Sequence, residues 1–176
     1  MPFDRQPRLT GESLDVRPLR AEDFADLYAV AADPLLWVQH PEPDRYREEV
    51  FRVFFRSALD SAGALAVVDR RAGRIIGSSR YHGYDEERSE VEIGWTFLAR
   101  SHWGGGANRE LKWLMLAHAF TAVESVVFLV GPENLRSQRA VEKIGGVRAG
   151  SRADGTGRHS LLYRIDAQSW RAGSTG

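Results

Sequence analysis

Apolar residues recur along this chain with two different spacings, and each spacing assigns its segment to a helix or to a strand. Spacings of three and four residues predict helices at 22–32, 46–60, 108–121 and 135–144. Alternating or continuous apolar residues predict strands at 13–20, 64–69, 74–84, 90–98, 125–130, 147–152 and 160–165. The order β-α-α-β-β-β-α-β-α-β-β is typical of an α/β domain with a mixed sheet and helices on both faces.

The clearest elements lie in the second half of the chain. The helix at 108–121 has one apolar face, made of Leu111, Leu114, Met115 and His118. We also expect Trp113 and Phe120 of this helix in the core. The segment at 125–130 is continuously apolar after its first residue, the pattern of a strand that is covered on both sides.

The length of 176 residues fits one domain. We expect residues 1–12, which are polar and contain proline, to form a flexible lead-in. A single domain would follow at 13–166, with a C-terminal tail at 167–176. A turn at 154–157 is predicted to join the last two strands.

The charge balance and the missing residue types narrow the function classes. Lys and Arg together number 24, as do Asp and Glu, whereas nucleic-acid binders normally carry a basic excess. The absence of cysteine excludes disulfides, thiolate metal sites and a cysteine nucleophile, and the scattered histidines indicate no metal site. Without a signal-peptide pattern or a membrane-length apolar run, the chain is expected to be cytoplasmic and to have no membrane partner.

A glycine-rich stretch, Trp103-Gly104-Gly105-Gly106-Ala107-Asn108, lies between a predicted strand and a predicted helix. Glycines at a helix N-terminus let backbone N–H groups approach an anion such as a pyrophosphate, helped by the helix dipole. A tight turn between a strand and a helix would use glycines equally well. No Gly-Lys-Ser/Thr and no G-x-G-x-x-G motif is present, which disfavours an ATP-binding P-loop and a dinucleotide fold.

The elements around this loop carry a family resemblance. After the next strand, Asn134-x-x-Ser137 opens a helix that closes on Lys143-Ile144-Gly145. This order, over residues 14–165, resembles the GNAT superfamily of N-acetyltransferases. The segments Val91-Glu92-Ile93-Gly94-Trp95 and Trp103-Gly104 look most like its branch of ribosomal-protein N-terminal acetyltransferases. The resemblance implies a mostly antiparallel sheet that splays at the cofactor site, between 90–98 and 125–130.

One position departs from the superfamily's pattern, Gln/Arg-x-x-Gly-x-Gly/Ala. Trp103 stands at its first position, Gly106 at the middle one, and Asn108 where a small residue is usual. We expect Asn108 to be the N-cap of the following helix.

The resemblance implies that acetyl-CoA is the cosubstrate. Backbone groups at the end of the strand at 90–98 would bind the pantetheine arm like an added strand, and amides of the glycine loop would bind the pyrophosphate. Asn134 would hydrogen-bond to the pantetheine and Ser137 would lie near the sulfur, although helix capping explains both residues as well. The implied contacts are Trp95, Thr96, Phe97, Leu98, Trp103, Gly104, Gly105, Gly106, Ala107, Asn108, Arg109, Asn134 and Ser137.

Acetyl transfer to an amine requires a neutral amine and a stabilised leaving group. Glu92 is the best candidate for the base, acting directly or through a water, and alternation places it opposite Trp95. The alternative role for Glu92 is a structural ion pair with an arginine. Val141 stands where many superfamily members have a tyrosine acid, so either Ser137 assists the leaving thiolate or no protein acid does.

The acceptor site is expected near the segment that joins the first two helices, which contains Trp37, His40 and Tyr46, although core packing also explains Trp37. One face of the predicted strand at 74–84 carries Ser78, Arg80, His82 and Tyr84. This face either lines a pocket or faces solvent.

The expected function is that of an N-acetyltransferase in which a protein N-terminus or a small-molecule amine attacks acetyl-CoA directly in a ternary complex. The alternative is a non-catalytic acyl-CoA-binding sensor or scaffold. The sequence leaves the acceptor and the general acid open, and it is compatible with a homodimer.

Overall fold

The computed structural model describes residues 2–153 and 157–174. The strands are β1 (Leu9–Thr10), β2 (Leu14–Pro18), β3 (Ala64–Asp69), β4 (Arg74–Asp85), β5 (Glu90–Leu98), β6 (Ser125–Val130), β7 (Val147–Ala153) and β8 (His159–Asp166). The α-helices are α1 (Phe24–Ala31), α2 (Glu48–Asp60), α3 (Ala107–Ala119), α4 (Leu135–Lys143) and α5 (Ala167–Gly173). Single 3-10 turns lie at Ala21–Asp23, Pro34–Leu36 and Arg100–His102. No helix in these two ranges is both long and apolar enough to cross a membrane.

All of these strands form one sheet, in the order β1-β2-β3-β4-β5-β6-β8-β7. Neighbouring strands are antiparallel except for β5 and β6, which are parallel. These two strands pair only between Glu90–Glu92 and Ser125–Val127, so their remaining residues diverge. The predicted α/β class, with a mixed, mostly antiparallel sheet that splays between β5 and β6, is confirmed.

The sheet separates two hydrophobic cores. Alternate residues of β3 enter different cores, Leu65 and Val67 on one side and Ala64 and Ala66 on the other. Helix α3 packs on the first core, and α1 and α2 pack on the second. Each large apolar side chain that becomes fully buried contributes roughly 1.5–3 kcal/mol, so this burial fixes the helices on both faces, as predicted.

Both ends of the chain take part in the fold, which the sequence pattern did not predict. In the segment expected to be a flexible lead-in, β1 pairs with β2, and the buried Phe3 ring meets the Tyr81 ring edge-on with centroids 5.0 Å apart. In the expected tail, α5 places Trp170 at 5.3 Å from Phe120. A two-residue strand and a two-turn helix are too short to show a periodicity.

Other elements match the predicted ones with shifted ends. Helix α2 begins at Glu48, so Tyr46 lies in the connection before it. Phe120 is buried as expected, but Trp113 is 53% exposed, because it lies on the side of α3 away from the core. Of the turn predicted at 154–157, only Gly157 lies within the described residues.

Candidate active site

A bulge in β5 changes the face on which the side chains lie next to the point where β5 and β6 diverge. Gly94 pairs with Arg80 and Phe97 with Ser78, so β5 has one more residue than β4 between these pairs. Trp95 takes a φ of +52°, which is uncommon for a residue other than glycine. The extra residue reverses the alternation, and the Trp95 ring packs at 5.1 Å from His82, the cross-strand partner of Glu92. The expectation that Trp95 lies opposite Glu92 was therefore wrong.

Glu92 is a carboxylate without a fixed partner. Within the described residues it makes no ion pair and no side-chain hydrogen bond. Burial raises its pKa to about 7, although Arg152 and Arg80 act in the opposite direction. A base with a pKa near the working pH combines availability with a strong driving force for taking a proton.

The ion pair considered for Glu92 belongs to its neighbour Glu90. Glu90 is 5% exposed, and its two carboxylate oxygens lie 3.3 Å from Arg152 Nη1 and 3.0 Å from Arg164 Nη2. The two glutamates therefore have different environments, one satisfied by arginines and one left without a partner.

A cavity of about 1290 Å³ opens where β5 and β6 diverge, and we call it the β5–β6 cleft. It brings together most of the residues that the sequence assigned to the site, namely Glu92, Trp95, Thr96, Phe97, Leu98, Trp103, Gly104, Gly105, Asn108, Arg109, Asn134 and Ser137. Gly106 and Ala107 do not line it. On the expected acceptor side, it is lined by Trp37, His40 and His82 but not by Tyr46, Ser78, Arg80 or Tyr84.

The glycine loop presents free donors at the N-terminus of α3. The backbone N–H groups from Gly104 to Arg109 make no hydrogen bond within the described residues, whereas the Glu110 N–H donates to Gly106 O. The N-cap of α3 is Gly106, with a φ of −83°, and not Asn108, which lies in the first turn. A helix starts where its first carbonyl accepts, and here the loop geometry places that carbonyl at Gly106.

The loop is also tied to α4. The guanidinium of Arg136 lies 3.7 Å from the centre of the Trp103 ring, a cation–π contact. The Trp103 Nε1–H donates to Leu98 O at 3.0 Å. These contacts hold the glycine loop against the end of β5 and the start of α4.

Asn134 caps α4, as one of the two interpretations of its sequence position predicted. Its Oδ1 accepts from the Ser137 N–H at 3.3 Å, and the residue is 6% exposed. Its side-chain amide nitrogen and the Ser137 hydroxyl make no hydrogen bond within the described ranges. Val141, where a tyrosine acid would stand, is buried and lines the cleft.

Lys112 is a cleft residue that the sequence pattern did not predict. It lies on α3, is 5% exposed, and donates from Nζ to Thr96 Oγ1. The ammonium lies 5.8 Å from the centre of the Phe128 ring, and burial lowers its pKa to about 7. The signal was available in the sequence, because Lys112 shares a helix face with the apolar Met115 and Ala119.

A sheet parted between two parallel strands, with a glycine-rich helix N-terminus beside the opening, is the architecture that the resemblance to the GNAT superfamily implies. The acetyltransferase (GNAT) domain family matches residues 13–147, and the chain belongs to this family. It is therefore an acetyltransferase that uses acetyl-CoA. No curated protein gives a significant match to the sequence.

Solved structures share the fold. A GCN5-related N-acetyltransferase from Brucella melitensis is 19% identical, with a TM-score of 0.82, and the match covers 97% of this chain and 83% of that one. A GNAT-family acetyltransferase from Bacillus anthracis is 23% identical, with a TM-score of 0.74 and coverage of 92% and 99%. Mycobacterium smegmatis RimJ in complex with CoA-disulfide is 20% identical, with a TM-score of 0.68 and coverage of 93% and 87%.

Proposed function

We propose that the protein transfers the acetyl group of acetyl-CoA to a primary amine that attacks directly in a ternary complex, with Glu92 as the base. The observation that carries this proposal is the position of Glu92, an unpaired carboxylate with a pKa raised to about 7 by burial, on the wall of the β5–β6 cleft. An acceptor amine is protonated at neutral pH, so such a base is needed before or during attack.

The cleft fits the chemistry of acetyl-CoA. Free N–H groups from Gly104 to Arg109, at the positive end of α3, suit the pyrophosphate. The edges of β5 and β6 that have no partner strand suit the amide groups of the pantetheine arm, as does the side-chain amide of Asn134. RimJ, a structural neighbour, was crystallised with a CoA-disulfide.

The proposed reaction balances as a direct transfer. Glu92, directly or through a water, takes a proton from the acceptor ammonium, and the amine nitrogen forms a bond to the thioester carbonyl carbon. The C–S bond then breaks, its electron pair leaves with the CoA sulfur, and the second proton of the amine nitrogen passes to that sulfur, so that CoA leaves as the thiol. Ser137 is the candidate to assist that sulfur, since its hydroxyl has no other partner in the described part of the chain and lines the cleft. Val141, which lies on α4 at the position of the usual tyrosine acid, has no proton to donate to the sulfur.

The test is acetylation of a panel of amines, followed by release of free CoA thiol and by mass spectrometry of the acetylated product. We expect turnover of at least one class of amine, with thiol and product formed in equal amounts. The alternative of a non-catalytic CoA-binding module predicts binding of acetyl-CoA without product from any amine. The cytoplasmic location and a homodimer stay predictions.

A further inference from the structure

Two hydrogen-bond donors converge on the acceptor side of the cleft. His40 Nδ1 accepts the Glu42 N–H at 2.9 Å, so the single proton of the neutral imidazole lies on Nε2. Burial, and after it the charge of Arg45, lowers the pKa of His40 to about 3, which keeps the ring neutral. Arg45 Nη1 lies 3.4 Å from that Nε2. Two N–H donors therefore stand side by side with no acceptor between them.

Arg45 has no carboxylate partner in the described part of the chain. Its guanidinium lies 4.3 Å from the centre of the Phe54 ring and 5.3 Å from that of Trp37, and it makes no ion pair within the described residues. The carboxylate that acts on Arg45, Glu42, is engaged by Arg158 at 3.2 Å, and the adjacent Asp44 lies 3.9 Å from Arg47. Aromatic stacking holds the cation in place but leaves its N–H groups free for an anion.

A second unpaired cation lies behind the first. Arg80 is 4% exposed, and its Nε and Nη2 are buried without a hydrogen-bond partner. It stacks at 4.5 Å on Trp95 and at 5.6 Å on the same Phe54 ring that Arg45 contacts. The charge of Glu92 acts on Arg80 without a hydrogen bond, so two buried N–H groups stay unsatisfied and their positive potential favours an anionic ligand nearby.

Two segments of the chain are also bridged at the acceptor end of the cleft. Arg158, in the segment before β8, donates to Pro41 O and to Glu42 Oε1, which joins this segment to the connection between α1 and α2. A methyl group placed on Gly131 would lie 2.8 Å from Pro41 Cγ, so this connection also lies close to the end of β6. Such a bridge across the cleft is easier to reconcile with a small molecule than with a polypeptide.

We propose that the acceptor is a small amine that also carries a carboxylate. This carboxylate accepts hydrogen bonds from His40 Nε2–H and Arg45 Nη1–H, and the amino group of the same molecule faces Glu92. This inference rests on the proposed function. A site with a carboxylate for the amine and paired donors for the carboxylate matches the two charges of an amino acid. Arg80 adds positive potential from behind Phe54.

The first arm of the test compares acceptors that differ in one group. Amino acids of increasing chain length are assayed beside their carboxamides and their decarboxylated amines. We expect the best amino acid to exceed its carboxamide by about 10- to 100-fold in kcat/KM, since a hydrogen-bonded charge is lost in the amide. Equal or better turnover of the carboxamides overturns the inference but leaves the transferase function standing. Short peptides with and without an acidic side chain form a further pair, and a preference for the acidic peptide also overturns it.

The second arm changes the site. Arg45→Gln should lower kcat/KM for the amino acid by about 10- to 100-fold, mainly by raising KM. The kcat/KM for the carboxamide and the KM for acetyl-CoA should stay unchanged. Arg45→Lys should restore part of the loss. Arg47→Gln is the matched control, because Arg47 is exposed and does not line the cleft. An equal loss for both acceptors, or a raised KM for acetyl-CoA, overturns the assignment.

A binding measurement separates this inference from the proposed function. The best amino acid should raise the melting temperature of the wild type and not that of Arg45→Gln, whether or not turnover occurs. Binding without acetylation of any amine would reject the transferase proposal and keep the carboxylate site. Turnover that does not depend on Arg45 would reject the carboxylate site and keep the transferase proposal.

Discussion

Glu90 and Glu92 lie two residues apart on one face of β5, and their surroundings give them different tasks. Two arginines satisfy Glu90, whereas Glu92 has no partner within the described residues and its pKa is raised to about 7. A side chain used for proton transfer must be free to change its charge, and a side chain used for stability must not. The pair therefore offers a matched comparison of the two roles.

Glu92→Gln should reduce kcat by roughly 10²–10⁴ at neutral pH, because the amide cannot take the proton of the amine. The residual rate should rise with pH as more acceptor becomes neutral. Stability should not fall. The folded-state pKa lies above that of the unfolded chain, so ionised Glu92 opposes folding increasingly as pH rises from about 4.5 to about 7. Kinetics against pH and urea unfolding of both proteins give the two readouts.

Glu90→Gln is the control for that substitution. It leaves two arginines without their buried carboxylate, so it should cost roughly 1–3 kcal/mol of unfolding free energy, less than a fully buried pair because the arginines are partly exposed. Turnover per folded molecule should stay well above that of Glu92→Gln, with its pH profile shifted to lower pH, because the charge of Glu90 helps to raise the pKa of Glu92. A folded Glu92→Gln enzyme that keeps full activity at neutral pH would remove Glu92 from the mechanism.

A second prediction about a single residue concerns the buried amine of Lys112. Lys112→Met should raise the unfolding free energy by about 1–4 kcal/mol near pH 6, since an apolar side chain of similar size replaces a buried cation that lacks a carboxylate. The pKa of Lys112 is lowered from 10.5 to about 7, so its penalty is full below about pH 7 and fades as pH rises toward 10.5. The gain from methionine should therefore shrink from pH 6 to pH 9.

Urea unfolding across that pH range, with Lys143→Met as control, measures the effect. Lys143 is the only other lysine of the chain and is exposed, so its substitution should give a small and nearly pH-independent change. A loss of stability in Lys112→Met at all pH values would show instead that the hydrogen bond to Thr96 outweighs the desolvation of the amine.

The sequence predicted some residues of the site and not others, for a physical reason. The family resemblance singled out Glu92, Asn134 and Ser137, and each stands in or at the start of a regular element that the sequence pattern predicts. The side taken by Trp95 depends on a bulge, which inserts a residue without leaving a mark in the hydrophobic pattern. Arg45 and Arg80 meet through the same Phe54 ring although they are far apart in sequence, and no local pattern predicts such a meeting.

At the scale of elements, the long strands and helices could be predicted because each shows a clear period over its length. The splay between β5 and β6 followed from family resemblance, since nothing in either strand's pattern says where pairing stops. The start of α3 was misjudged by the N-cap preference of asparagine, because the glycine loop already supplies the first carbonyl at Gly106.

Gly106→Asp tests the role of the α3 N-terminus. Gly106 has a φ of −83°, and a Cβ there would meet nothing within 4 Å, so the substitution fits the backbone. A carboxylate is also favourable at the positive end of a helix, so the variant should be about as stable as the wild type. Its carboxylate would nevertheless repel a pyrophosphate at the free N–H groups, so the Kd for CoA should rise by at least about tenfold.

Calorimetric titration of CoA into both proteins, beside a thermal melt, checks this prediction. Gly104→Ala is a useful contrast, because Gly104 has a φ of +75° and alanine would strain the loop. It should lose about 1 kcal/mol of stability. Normal CoA affinity in a folded Gly106→Asp variant would place the pyrophosphate elsewhere.

At the scale of the molecule, the cleft is built from elements that are joined by the sheet and by a few side-chain contacts. Strands β5 and β6 pair over three residues, and the Arg136–Trp103 contact links α4 to the loop before α3. A ligand that touches β5, α3 and α4 at once would join them. Because it binds the folded chain and not the unfolded one, its binding free energy adds to the stability of the whole domain.

Acetyl-CoA at a hundredfold excess over its Kd should therefore stabilise the fold by about 2.7 kcal/mol, which corresponds to a rise of roughly 5–10 °C in melting temperature for a chain of this size. CoA should act similarly, because the pyrophosphate and pantetheine contacts do not involve the acetyl group. ATP, which lacks the pantetheine arm, should give a clearly smaller shift at the same concentration. Melts with the three ligands on the wild type and on Gly106→Asp check both the size and the site of the effect. If neither CoA species shifts the melt at millimolar concentration, the cleft does not hold the cosubstrate, and the roles proposed for the glycine loop and Asn134 fall with it.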